Sequence, residues 1–307
     1  GMQRAAGGFA LWGDGAPEIW ISAYAAGFLQ DARSAGFNVP DVLARRAMDW
    51  LLGQVQQGPA NFPGLPQSLR TQQETGEGKR LRDGDYNLLR DSHRRFAELA
   101  HAAYVLAREQ RAPLSTLRVL HDNYRDRAHS PLPLVHLGIA LKLMGDESRA
   151  QVAFDEAMLR GYGIDANRHG GYGEWLGDYG SAVRDYALSY ALMMRHGIAH
   201  PRREALLNDV AGRLGSRAYL STQEQLALFL AARAAGVMPL GYIGTVADFS
   251  DWEKFRAMVR RSRQFGFDGA SCVHPGQVAI VNEEYGPRPD ELAYAKRVIA
   301  AADQAQA

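Results

Sequence analysis

Ala97-Glu-Leu-Ala-His-Ala-Ala-Tyr104 and Tyr186-Ala-Leu-Ser-Tyr-Ala191 decide the fold class of this chain. Alanine gives up no side-chain freedom in a helix, so stretches this rich in it read as helical. Small residues on an inner face also let helix axes approach closely and stack in layers. Outward from these two stretches, the pattern predicts helices over 18–36, 41–56, 88–110, 133–144, 147–160, 181–196, 202–214 and 222–235, separated by Gly, Pro or Asp. In the first of them Trp20, Tyr24, Phe28 and Ala32 stand four apart, flanked by Ile21 and Leu29, which predicts a buried face. Ser221-Thr-Gln-Glu224 has the spacing of a capping box at the start of the last. Segments beginning near Glu98, Val135, Asp185 and Glu224 look alike and recur at about the length of one helix pair. The expected fold is therefore mainly α, an α/α toroid of helix pairs.

The loops Gly7-Gly8-Phe9-Ala10-Leu11-Trp12-Gly13-Asp14 and Gly170-Gly171-Tyr172-Gly173-Glu174-Trp175-Leu176-Gly177-Asp178 also resemble each other, and each runs into an alanine-rich helix. Their glycines are expected to serve tight turns and their tryptophans to pack between helices. The polar, Gly- and Pro-rich stretch between Gln57 and Asp85 reads as a surface loop or an insertion.

With 35 Lys and Arg against 34 Asp and Glu the net charge is +1, so no global field recruits nucleic acid or an anionic membrane. A chain of 307 residues that is 46% hydrophobic can bury a sizeable core. No apolar run is long enough to cross a bilayer, and no secretory leader is recognisable. Cys272 is the sole cysteine, which excludes an internal disulfide.

After Gly236 the texture changes. Leu240–Val246 reads as a strand, Trp252–Phe265 as an amphipathic helix, Ala270–His274 as a second strand and Asp290–Ala305 as a final helix. This β-α-β-α order is a piece of an α/β sheet of TIM-barrel type, too short for a complete barrel of about 250 residues.

Met2-Gln-Arg-Ala-Ala-Gly-Gly-Phe-Ala-Leu-Trp12, Trp20-Ile-Ser-Ala-Tyr24 with Phe28-Leu29, and Tyr219-Leu-Ser-Thr-Gln-Glu224 with Ala231-Ala232 resemble the helical thioester-domain region of the bacterial alpha-2-macroglobulins. The resemblance implies a toroid that, in thioester-bearing members, tethers an attacking protease through an acyl group. The family's Cys-x-Glu-Gln motif should precede Met2 and does not occur here, so a non-catalytic module is expected. Proteases are then partners through the parent macroglobulin, and the location implied is the periplasm or envelope.

Gly266-Phe-Asp-Gly-Ala-Ser-Cys-Val-His-Pro-Gly-Gln277, with Asn282 and Pro287, resembles instead the last part of the citrate lyase beta-subunit family, aldolase-like barrel enzymes that act on acyl-CoA esters with magnesium. That resemblance implies substrate-binding roles for His274, Gln277 and Asn282, and a cytoplasmic location. Ala270 stands where many members have Lys, and the earlier strands that carry the metal-binding Glu and Asp are lacking. An incomplete acyl-CoA lyase is therefore the alternative reading, and neither a cofactor nor a metal is expected unless it holds, when magnesium would be required. Ala231-Ala-Arg-Ala-Ala-Gly236 fits both families. The chain reads as a chimera joined there, with a toroid over 1–235 and a partial lyase-like fragment over 236–307.

Other constellations have plain readings. His196 and His200 fall at a helix end marked by Gly197 and Pro201, where cationic side chains oppose the helix dipole, rather than forming a zinc pair. Asp248 and Asp251 read as caps for the helix from Trp252, Cys272 as a small buried hydrophobe, and Arg90 to Arg95 as a solvated helix face. Glu174 and Asp178 leave open a toroid enzyme acting on glycans or prenyl groups through paired carboxylates or a metal at the ring mouth.

Overall fold

The structure, a computed structural model, describes residues 2–66, 83–164, 175–214, 219–242 and 251–306. It divides into two compact units, Gly1–Ala231 and Ala232–Ala307.

The first unit is helical. Its elements are α1 (Ile19–Ser34), α2 (Asp41–Gln57), α3 (Asp83–Ala107), α4 (Leu114–Tyr124), α5 (Pro131–Leu143), α6 (Glu147–Leu159), α7 (Ala182–Arg195), α8 (Arg203–Leu214) and α9 (Thr222–Ala234), the last running on into the second unit. Helix α5 carries its centre. Every residue from Pro131 to Leu141 is buried, because Pro-Leu-Pro-Leu-Val-His-Leu-Gly-Ile-Ala-Leu offers no polar stripe to face water. It packs on α3, α6 and α7. Gly138 allows the approach of α6, since a Cβ there would stand 2.6 Å from the Phe154 ring.

Ion pairs reveal how the inner helices run. Asp31, in the last turn of α1, accepts from Arg108, just past the end of α3, and from Arg195, at the end of α7. At the opposite ends, the Ser181 hydroxyl that caps α7 donates to Glu224 in the first turn of α9, at 2.7 Å. Helices α1, α3, α7 and α9 are therefore parallel, with outer helices returning the chain between them. This is the order of an α/α toroid. The capping box at α9 forms in full: the Ser221 hydroxyl accepts from the Glu224 N–H, and the Glu224 carboxylate accepts from the Ser221 N–H at 2.8 Å.

Three features of this unit differ from expectation. The aromatic stripe of α1 is not its buried face: Tyr24 is 43% and Phe28 65% exposed, while Ile19, Ser22, Ala23 and Ala26 are buried. The close-packed side is the one with the small residues, because only there can neighbouring axes come near enough to exclude water. Helix α4 was not anticipated, since β-branched Thr116 and Val119 and a short span weaken its pattern. In the first Gly-Gly-aromatic loop the glycines are structural, as read, but the tryptophans of the two loops do not pack between helices, Trp12 being 72% and Trp175 54% exposed. Gly7 has φ of +109°, and a Cβ at Gly8 would lie 2.6 Å from the Trp50 ring. In the second loop, 165–174 lie outside the described residues, as do 67–82 of the polar stretch.

The second unit contains α10 (Trp252–Gln264), α11 (Pro275–Tyr285) and α12 (Pro289–Gln306). Among the described residues the barrel-like strands expected here are not observed. Their trace is one isolated parallel bridge, Leu240 to Gly269, with hydrogen bonds from Gly241 N–H to Gly269 and from Asp268 N–H to Pro239. Residues 270–274 are irregular and lead into α11, while 243–250 lie outside the described residues. A strand is held by neighbours along its whole length, and two short segments cannot supply a sheet to one another. Asp251 caps α10 as anticipated, accepting from the Lys254 N–H at 2.9 Å, and Asp248 is not among the described residues. Cys272 is only half-buried, beside Tyr242 at the edge of a small cluster.

That cluster is Phe255, Val259, Ile280 and Val281. Four buried apolar side chains among the described residues are few against the chain entropy of so many residues. Amide hydrogen exchange is expected to be faster throughout 251–306 than in α3, α5 and α7; protection equal to that of α5 would contradict this.

Candidate functional site

The inner faces of α1, α3, α5, α7 and α9 surround a cavity of 380 Å³ within the first unit. That volume is in the range of small-molecule and side-chain sites. Among its lining residues are Glu98, His101 and Tyr104 of α3 and His136 of α5. The His101 and His136 rings stack at 4.7 Å and the Tyr104 and His136 rings at 5.3 Å, while the Tyr104 hydroxyl meets His196 Nε2 at 3.1 Å.

These histidines are held neutral. Burial, helped by the positive charges of Arg184 and Arg108, pushes His101 down to about 4. Burial also lowers His136, beside His101 and Arg184. His196 drops to about 4 through burial and the adjacent Arg195. The expectation of a cationic His196 at the end of α7 is thus corrected: desolvation outweighs the helix dipole. His200 takes a different partner, with Nε2 3.2 Å from Asp155.

A buried ionic cluster lines the cavity where α7 begins. Arg184 donates to Asp178 at 2.9 Å and to Asp185 at 2.7 Å. His93, fully buried, accepts the His129 N–H at Nδ1, which places its ring proton on Nε2, 3.5 Å from Asp178. Burial alone would raise the Asp178 carboxyl, yet Arg184 and His93 hold it well below the usual range. Asp185, wholly buried, shifts upward because desolvation prevails over the same arginine. Burial likewise raises Glu98 against the pull of Arg94 and Arg95. At the far end, Arg195 and Arg108 keep Asp31 low in spite of its partial burial.

The glycan-hydrolase arrangement gains nothing from this geometry. Asp178 is committed to an ion pair, and Glu174 lies outside the described residues. Nor is Arg90 to Arg95 simply a solvated face. Ser92 and His93 are buried, and the Arg90 guanidinium sits 4.8 Å over the Trp175 ring. Among the described residues no group of three or more His, Cys, Asp or Glu could hold a metal ion.

In the second unit, His274 caps α11. Its Nδ1 accepts the Gly276 N–H at 3.0 Å, and the buried Gln277 carbonyl accepts the N–H groups of Val273 and His274. Asn282 is exposed in the last turn of α11, about 12 Å along the axis from His274 at 1.5 Å per residue. His274 and Gln277 are thus brought together as a helix start, and Asn282 stands apart.

No protein-family model matches the chain. An alpha-2-macroglobulin of Xylella fastidiosa (strain Temecula1) is 38% identical over 239 residues, which is 76% of this chain and 13% of the relative. The structure of native Escherichia coli alpha-2-macroglobulin from domain MG7 to the C-terminus superposes with a TM-score of 0.61 at 36% identity, covering 78% of this chain and 33% of that one. The helical unit is a homologue of the bacterial alpha-2-macroglobulins. The chain thus spans a small part of the length of these macroglobulins. A second likeness accompanies the first: a (3S)-malyl-CoA thioesterase of Cereibacter sphaeroides is 40% identical over 115 residues, 35% of this chain and 40% of the relative. The chain therefore joins a macroglobulin-like module to a partial lyase-like segment. The cavity and its histidines belong to the macroglobulin-like module, and the polar stripe Glu98, His101, Tyr104 and Arg108 on an otherwise alanine-rich helix was the signal that could have located them.

The buried histidines set a pH dependence. His101, His129, His136 and His196 all have native pKa values below 6.5, so at lower pH the unfolded chain binds protons that the native chain refuses. Stability is then fully present above 6.5 and falls as pH drops; fully buried His101 contributes at most about 1.4 kcal/mol per pH unit down to about 4, and the half-exposed His196 less because solvent screens it. Asp185 and Glu98, raised in the native state, act in the opposite sense but are fewer. Calorimetric melting between pH 7 and 5 is expected to show a falling midpoint, less steep in His136→Gln; a flat profile would remove the neutral-histidine assignment.

Proposed function

We propose that residues 1–231 serve as a non-catalytic helical module of a protease-trapping protein of the alpha-2-macroglobulin kind, located in the bacterial envelope. The observation that carries this reading is the extended homology to alpha-2-macroglobulins over a unit without a cysteine: the sole one, Cys272, belongs to the second unit. Acyl tethering of a protease needs a thiolate to make the internal thioester. The role left to the module is to present its surfaces to a protease or to other parts of the parent, with no bond made or broken. Among the described residues no helix is long and apolar enough to cross a membrane. No cofactor enters this reading.

Incubation with excess trypsin, followed by boiling in SDS and mass spectrometry, is expected to give no species at the summed mass of the two proteins. A boiling-resistant adduct that persists in Cys272→Ser would sink the non-covalent reading.

The likeness to the malyl-CoA thioesterase supports a second reading, an acyl-CoA lyase that requires magnesium and uses His274, Gln277 and Asn282 on substrate. Against it, His274 and Gln277 spend their hydrogen bonds on the start of α11. Release of glyoxylate from malyl-CoA, with acetyl-CoA as the other product and magnesium present, is expected to match the uncatalysed rate. Turnover that His274→Ala abolishes would establish the lyase instead.

A further inference from the structure

The cavity has a floor and a rim of different character. Tyr104, Val105 and His136, from α3 and α5, are buried on its floor, whereas α1 and α9 each contribute two large apolar residues that stand open to solvent. On α1 these are Tyr24 and Phe28, and on α9 Leu226 and Leu230, which are 41% and 40% exposed. Both rim pairs are spaced by four residues, so each is a stripe along its helix rather than a patch. Lining residues of α1 extend from Glu18 to Asp31, about 20 Å along the axis. A lining this long, apolar and straight fits a rod better than a compact ligand.

Charge gives the rod a direction. At the end where α1 begins the lining carries the carboxylates of Glu18, Glu98 and Asp178 against the guanidinium groups of Arg94 and Arg184, leaving one negative charge in excess. At the other end Arg108 and Arg195 share the single carboxylate of Asp31, leaving one positive charge in excess. A helix carries partial positive charge at its N-terminus and negative at its C-terminus.

We infer that this groove docks an amphipathic α-helix of about four turns from another polypeptide, parallel to α1, with its apolar stripe on Tyr24, Phe28, Leu226 and Leu230. Basic residues in its first turn meet Glu18 and Glu98, and acidic residues in its last turn meet Arg108 and Arg195. The mode is helix-in-groove recognition, in which anchors at three- and four-residue spacing supply the contact area. The inference rests on the geometry of the cavity and stands apart from any role in trapping proteases.

The test uses the full chain and a fluorescein-labelled peptide of about 16 residues, with Leu at three- and four-residue spacing, Lys in the first turn and Glu in the last. Fluorescence anisotropy is expected to show saturable binding, at least tenfold weaker for Phe28→Asp and for Leu230→Asp. Both positions are exposed, and unchanged circular dichroism will certify each variant as folded. A peptide with the terminal charges exchanged is expected to bind at least fivefold more weakly, and one with a central Pro not at all. Absence of saturable binding, equal binding of the Pro-broken peptide, or unchanged affinity in both folded variants overturns the inference. So does self-association of the free chain that Phe28→Asp abolishes, which would make a second copy the occupant.

Discussion

Helix α5 has no side to offer to water, and the rest of the first unit follows from that. A helix apolar all round must be enclosed, so α3, α6 and α7 are required as walls before any of them has a role of its own. Enclosure at this density needs close approach, which the alanines of α3 and α7 and Gly138 of α5 permit. The ionic groups are then placed where the walls meet. Arg184 sits at the start of α7 between two carboxylates, and Asp31 gathers the arginines at the far ends of α3 and α7. Taking those charges from water is expensive, so each is tolerated only with its partners in place.

The class of fold was legible because it rests on local chemistry. Alanine-rich stretches, the Ser221 capping box and the recurrence near Glu98, Val135, Asp185 and Glu224 are all short-range signals, and they correspond to α3, α5, α7 and α9. The side of α1 that is buried was not legible. Large aromatic residues spaced by four announce an apolar face, but which face meets the core depends on the size of residues across the contact, and Ala23 and Ala26 win because they let α1 lie close. The strands of the second unit misled for a related reason. Ala270-Ser-Cys-Val-His274 has the composition of a buried strand, yet that composition is realised only when adjacent strands exist to bond it.

The candidate site was less legible than the fold. His93, His101, His129 and His136 are scattered over more than forty positions and meet only because α3 and α5 pack together. Along α3 and just past its end, however, Glu98, His101 and Arg108 line one cavity, and a polar stripe interrupting an alanine-rich helix is a sign of a lined cavity rather than of a solvated surface. For the second unit, the family likeness pointed to His274 and Gln277 as a pair. The geometry explains their proximity through a capping box, in which both side chains serve the backbone.

Parallel inner helices add their macrodipoles instead of cancelling them, each end carrying about half an elementary charge. The side chains answer this in register. Glu18 and Glu224 stand at the beginnings of α1 and α9, and Asp185 at that of α7 beside its partner Arg184, while Arg33, Arg108, Lys142 and Arg195 stand at the ends of α1, α3, α5 and α7 and outnumber Asp31 there. The toroid is thus electrically ordered along its axis, a capacitor whose plates are neutralised by built-in counterions. A net charge of +1 over the whole chain conceals that separation.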